Sequence, residues 1–211
     1  LNTVCLLFLA TLVANSQELT TSSQEKTPKL EFGIKAGINV SNVWDSKGQD
    51  FVNDAKVGLV VGVFMGIPFG QYIGIQPEVH YSQKGFKGSG TILGSSYSTD
   101  RVTNYLDIPI LFQIKPSPFI TLLVGPQYSY LFSQTDTYTF AGQSVKQEEE
   151  FKNENVRKNI FGLVGGFDIN YENYCFSARA SWDLENNNGD GTSTTPRYKN
   201  QLLQFTLGFK F

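Results

Sequence analysis

Leu202-Leu203-Gln204-Phe205-Thr206-Leu207-Gly208-Phe209-Lys210-Phe211 ends the chain with apolar residues at every second position and small or polar ones between them. Successive side chains of a strand point to opposite faces, so this period builds one oily face and one water-compatible face. A helix would need its apolar residues three and four apart, which this stretch lacks. The last residue, Phe211, is itself aromatic.

Seven earlier segments carry the same period. In 30–41, Leu30, Phe32, Ile34, Ala36, Ile38 and Val40 share a face opposite Glu31, Gly33, Lys35, Gly37, Asn39 and Ser41. Segment 56–67 sets Val57, Leu59, Val61, Val63, Met65 and Ile67 against Gly58, Gly62 and Gly66. Segment 73–84 sets Ile73, Ile75, Val79 and Tyr81 against Gln76, Glu78, His80, Ser82 and Lys84. In 104–115, Leu106, Ile108, Ile110, Phe112 and Ile114 oppose Asp107, Gln113 and Lys115, and 119–133 aligns Ile120, Leu122, Val124, Tyr128, Tyr130 and Phe132. Segments 158–170 and 175–184 and the last strand put Asp168, Arg179, Asp183 and Lys210 on the polar side. Pro77, Pro109 and Pro126 interrupt this pattern; since proline cannot donate to a ladder, each predicts a local bulge.

The connections alternate in length. Residues 68–71, 116–118 and 171–174 are tight, whereas 42–55, 85–103, 134–157 and 185–201 are long and polar. Short periplasmic turns and longer outer loops are the asymmetry of a bacterial outer-membrane barrel. In that orientation Tyr81, Tyr128, Tyr130, Phe132 and Trp182 form an outer aromatic girdle, and Phe32, Phe167, Phe176, Phe209 and Phe211 a periplasmic one. Alternation alone does not separate a membrane barrel from a soluble barrel that buries its oily face. An apolar run at 6–13 followed by Ala14-Asn15-Ser16 reads as an export signal that tips the choice, together with the girdles and loops. The expected organisation is a signal peptide over 1–16, a disordered periplasmic lead-in over 17–29 and a barrel domain over 30–211. The expected fold is all-β: an eight-stranded antiparallel transmembrane β-barrel with short periplasmic turns and longer extracellular loops, located in the cell outer membrane.

Composition narrows the functions. The chain has 211 residues, enough for one domain, and its 20 Gly, 17 Phe and 10 Tyr favour short strands and turns over helices. A formal charge of −2 with no basic cluster argues against nucleic acid. Cys5 leaves with the signal, so Cys175 has no partner for a disulfide in the mature chain.

Four stretches add a resemblance: Gly33-Ile34-Lys35-Ala36-Gly37-Ile38-Asn39, Gln76-Pro77-Glu78-Val79-His80-Tyr81-Ser82-Gln83-Lys84-Gly85, Tyr105-Leu106-Asp107-Ile108-Pro109-Ile110-Leu111 and Gly125-Pro126-Gln127. The chain from about residue 30 to its end resembles the PorT-like outer-membrane β-barrel family of Bacteroidetes. The resemblance implies the barrel and its location; it is weak for activity, although some members are associated with protein secretion.

By parity the interior gathers Glu31, Glu78, Asp107, Asp168 and Asp183 with Lys35, Lys84, Lys115, Arg179 and Lys210. Unpaired charges in so narrow a lumen are costly, so these predict a polar network of ion pairs that also includes His80. The alternative use of such a lumen is small-solute transport. Glu78, His80 and Ser82 share a face, and His-x-Ser on a barrel strand resembles the lipid A deacylases of the outer membrane. Residues two apart on a strand lie about 7 Å from each other, however, beyond hydrogen-bond reach without rearrangement. No catalytic residue, cofactor or metal site is expected, since one His gives no zinc spacing. The glycines lack the following helix of a phosphate loop; they make room for lumen neighbours such as Phe64 and Arg179. The expected molecule is a monomer in contact with outer-membrane lipid, with no enzymatic activity. It acts as a structural or interaction component through its extracellular loops, above all 134–157, where a protein partner would bind; a lipid-modifying or solute-passing barrel is the alternative.

Overall fold

The computed structural model describes residues 29–45, 53–92, 95–140, 143–149, 156–187 and 198–211. The signal peptide and nearly all of the lead-in read from the sequence lie outside the described residues. Nine strands follow in order: β1 (Glu31–Asp45), β2 (Asn53–Pro68), β3 (Ile73–Ile92), β4 (Ser95–Ser117), β5 (Ile120–Phe140), β6 (Gln143–Glu149), β7 (Asn159–Tyr171), β8 (Tyr174–Asp183) and β9 (Tyr198–Lys210). All pairings are antiparallel. β7 passes over β6 to pair with β5, and β9 returns to β1, so eight strands close a ring and β6 lies outside it.

The register follows the oily pattern, because a slip of one residue would turn every side chain to the wrong face. Leu59 and Leu207 are 63 % and 61 % exposed, while Glu78 and Lys35 are 2 % and 1 % exposed. The apolar face is therefore outside, where lipid covers it, and the soluble alternative is excluded. Rings meet within both girdles: Tyr81 lies 5.8 Å from Phe132 and Tyr128 5.4 Å from Phe161 at the outer one. At the other end Tyr174 and Phe209 are 5.3 Å apart, and Phe69, Tyr72, Phe119 and Tyr171 add exposed aromatics at the turns. The tight turn after β7 places Glu172 at φ 51°, the left-handed conformation that two-residue hairpins use.

Three expectations need correction. First, the described residues of 85–103 and most of those of 134–157 are strand, not long polar loop: β3 and β4 pair as far as Ile92↔Ser95, and β5 runs on to Phe140, where β6 pairs with it from Phe140↔Gln143 to Gln134↔Glu149. β4 alone has 23 residues. At about 3.4 Å each that is about 75 Å, against an apolar band about 25 Å tall. Threonine and tyrosine favour strands without needing lipid, so the sheet continues into water with no oily face to announce it. Second, the prolines cause no bulge. Register is the same on both sides of them, as at Pro77↔Ile110 and His80↔Asp107, at Pro109↔Gln127 and Phe112↔Val124, and at Pro126↔Leu163. Third, the irregularities fall elsewhere, between Ala55 and Val60, between Asn104 and Tyr105, and between Ile114 and Ser117. At Asn104/Tyr105 the extra residue is Phe132, and the inward face passes from Leu131 to Gln134 and Asp136 where the sheet leaves the membrane.

Candidate functional site

The lumen is filled in layers. At the periplasmic rim Glu31 pairs with Lys115 at 3.2 Å and with Lys210 at 3.5 Å, and Lys210 also donates to Asn170. Deeper, Glu78 is the hub: Lys35 Nζ lies 3.0 Å from Oε1, and Arg179 Nη1 and His80 Nε2 lie 2.5 Å and 2.8 Å from Oε2. Arg179 Nη2 reaches Asp168 at 3.4 Å. Gln113 donates to Gln76, which donates to Glu78. One level further out, Lys84 pairs with Asp107 at 3.0 Å and lies 4.5 Å above the ring of Tyr105, as Lys35 does above Phe64. Asp183 is held by Asn200, whose amide groups donate to Oδ2 at 3.2 Å and 2.6 Å. Leu111, Leu123 and Val164 form one apolar patch of this interior and Tyr105, Leu131 and Ile160 another.

Burying so many charges is tolerable because the charged groups find partners of opposite sign or, at Asp183, two hydrogen-bond donors from Asn200. Several pairs join strands far apart in sequence, Arg179 and Glu78 being 101 residues apart. The glycines permit this packing at specific points: a Cβ on Gly62 would lie 2.2 Å from His80 Cδ2, and one on Gly33 2.4 Å from Phe64 Cζ.

The geometry corrects the spacing argument for Glu78 and His80. Their side chains lean toward each other along β3 and close the gap to 2.8 Å. Ser82, two residues on, is bonded instead to Asn39 Nδ2 at 2.9 Å and is fully buried. The three groups therefore form no exposed base and nucleophile. Among the described residues no cluster of three or more His, Cys, Asp or Glu side chains is arranged to hold a metal ion.

The outer mouth holds residues that sequence reasoning placed in solvated loops. Arg101 forms two bonds of 2.6 Å to the carboxylate of Asp136 and donates to the Tyr198 hydroxyl at 2.9 Å. Its guanidinium sits beside the rings of Phe86 and Tyr198, which contact each other edge to face at 5.3 Å. Gln134 and Tyr138 also donate to Asp136. Burial works against the Arg101 charge, but the Tyr198 and Asp136 oxygens outweigh it, so its pKa rises above the ordinary arginine value. Burial pushes the Tyr198 phenol up as well. Asn187 closes the mouth further, with its backbone N and Nδ2 on the Tyr198 carbonyl and its Oδ1 3.5 Å from the Tyr105 hydroxyl. A signal for this cluster was present in Arg101 and Asp136, two charges flanked by strand-forming Val102, Thr135 and Thr137.

Two solved structures share this architecture. Neisserial surface protein A is 12 % identical with a TM-score of 0.52, over 87 % of this chain and 100 % of that chain. Ail, the attachment invasion locus protein of Yersinia pestis, in complex with the heparin analogue sucrose octasulfate, is 13 % identical with a TM-score of 0.51 over the same shares. At such identity the likeness concerns the fold alone. No curated protein sequence matches the chain. Residues 16–189 match the family described as outer membrane protein beta-barrel domain, and the chain thus belongs to that family and resides in the outer membrane.

Proposed function

We propose that this barrel is a structural or interaction component that engages a protein partner through its extracellular sheet and the loops that sheet carries, as a monomer and without enzymatic activity. The observation that supports this reading is the contrast between its two ends of construction. The lumen is packed with paired charges, while β3, β4 and β5 continue beyond the outer girdle and, with β6, place a broad sheet in the outer solution. Surfaces that carry function on rigid scaffolds are built this way. Within the family, we read the chain as a PorT-like barrel of Bacteroidetes, a reading that the four motif stretches support.

The test is to replace residues 141–155 by a short Gly-Ser turn, which removes β6 from the edge of the sheet. The shortened barrel should keep its heat-modifiable gel mobility, because β6 is outside the closed ring. It should lose cell-surface binding and fail to complement a deletion strain. Full complementation would move the function to another loop or to the lumen.

A further inference from the structure

The ladders of the ring are not equally complete. Pairing runs without a break in five of them, for example from Glu31↔Gly66 to Ser41↔Lys56 between β1 and β2 and from Tyr174↔Phe209 to Trp182↔Gln201 between β8 and β9. In the three consecutive ladders from β2 to β5 it lapses for two pairs near mid-strand. The lapses lie between Phe64↔Glu78 and Ile67↔Ile75, between Pro77↔Ile110 and His80↔Asp107, and between Pro109↔Gln127 and Phe112↔Val124. A proline stands in each: Pro77, Pro109 and Pro126 in turn.

The direction of each missing bond follows from the pairs that survive. Residues of an antiparallel strand turn N–H and C=O alternately to one neighbour and to the other. Pro77 pairs with Ile110 although it has no N–H, which only a non-hydrogen-bonded pair allows, so its nitrogen is turned the other way, to Met65 on β2. By the same rule Pro109, paired with Gln127, is turned to Glu78 on β3, and Pro126, paired with Leu163, is turned to Ile110 on β4. Three seams side by side therefore lack one donor each. The Ile110 carbonyl oxygen points into the last of them, 2.0 Å from where a Cβ on Gly125 would lie.

Side chains reinforce the first two seams and not the third. Lys35 and Asn39 on β1 reach across β2 to Glu78 and Ser82 on β3, and β3 is tied to β4 by Lys84 with Asp107 and by Gln76 with Gln113. Beside the β4/β5 lapse the interior is the Leu111–Leu123–Val164 patch, which packs without directed bonds. Its lipid face is Ile110 and Val124, 51 % and 55 % exposed.

We propose that the β4/β5 seam at Pro126 is a lateral gate, a stretch of wall that parts toward the bilayer while the rest of the ring stays closed. In lipid every backbone polar group must find its partner within the protein, so a barrel wall opens where the fewest bonds are broken. This seam breaks the fewest. Apolar side chains flank it inside and out, so hydrocarbon meets the parted edges without stripping a charge of its partner.

Amide hydrogen exchange followed by solution NMR tests the gate on the refolded protein in detergent micelles. The amides of Ile110, Phe112 and Val124 should exchange about tenfold faster than those of Ala178, Ala180 and Leu203 in the unbroken β8/β9 ladder, the effect of about one ladder bond on the open fraction. Pro126→Val returns the donor opposite Ile110 and should slow exchange at Ile110 and Val124 by about the same factor, with Ala180 unchanged. Heat-modifiable mobility reports that the variant is folded. Equal exchange of the two ladders in the unaltered protein overturns the gate, whether or not the variant folds. Fast exchange at Ile110 that Pro126→Val leaves unchanged overturns its assignment to the proline, and exchange at Val79 as fast as at Ile110 overturns its confinement to one seam.

Discussion

Replacing Arg179 by alanine should be among the most damaging single changes to the barrel. Its side chain is 2 % exposed, with Nη1 2.5 Å from Glu78 and Nη2 3.4 Å from Asp168. Glu78 retains Lys35 and His80, but Asp168 has no other ion pair among the described residues. Breaking a buried pair by deleting one partner costs about 3–5 kcal/mol, because the remaining charge stays buried and uncompensated. Lys115→Ala at the rim is the control: its pair with Glu31 is 3.2 Å long and partly in solvent, where loss costs about 0–1 kcal/mol. Urea titration of the refolded protein measures both, read by gel mobility and by the fluorescence of Trp182 on the lipid face. Arg179→Met separates charge from volume, since it fills most of the space and leaves Asp168 unpaired. Should Arg179→Met match the unaltered barrel, or Arg179→Ala cost no more than Lys115→Ala, the buried charge of Arg179 does not hold the lumen together. Combining Arg179→Met with Glu78→Gln should cost less than the sum of the two single changes.

Leu207→Arg places a charge on the lipid face and should cost about 2–4 kcal/mol near mid-membrane, measured by the same titration. A neutral outcome would show that β9 is turned the other way. Gly62→Val drives a Cβ to 2.2 Å from His80 Cδ2 and 2.3 Å from the Val79 carbonyl oxygen, so it should lower the unfolding midpoint by about 1–3 kcal/mol of stability or block refolding. Planar-bilayer recordings should show no large, stable porin-like conductance, given the filled lumen and the Arg101–Asp136–Tyr198 closure of the mouth. Sustained open channels at neutral pH would refute that closure.

Much of the membrane-spanning part was legible one residue at a time. Phe205 outward and Thr206 inward, or Leu106 outward and Asp107 inward, follow from a period of two and the requirement that lipid meet only apolar side chains. Neither fact depends on knowing which strands are neighbours. The extramembrane strands were hidden for the complementary reason: at Ser98, Thr99, Asp100 and Arg101 no lipid lies on the outer side, so no oily alternation is demanded and a paired strand reads like a loop. Pro77 and Pro109 each lack one ladder bond, which the sequence shows, whereas the flanking ladder that carries the register past them belongs to the paired sheet.

The facing of each spanning residue and the eight spanning segments were determined by the sequence alone, since local geometry and the bilayer act on each strand separately. Which charges meet was decided only by the tertiary structure. Glu78 joins Lys35, His80 and Arg179 because closure of β9 on β1 brings β1, β3 and β8 around one narrow interior, and the height of each charge there depends on the register of every strand between. Arg101 finds Asp136 and Tyr198 by the same closure. Pairing across a ring is a property of the closed sheet, and no single strand contains it.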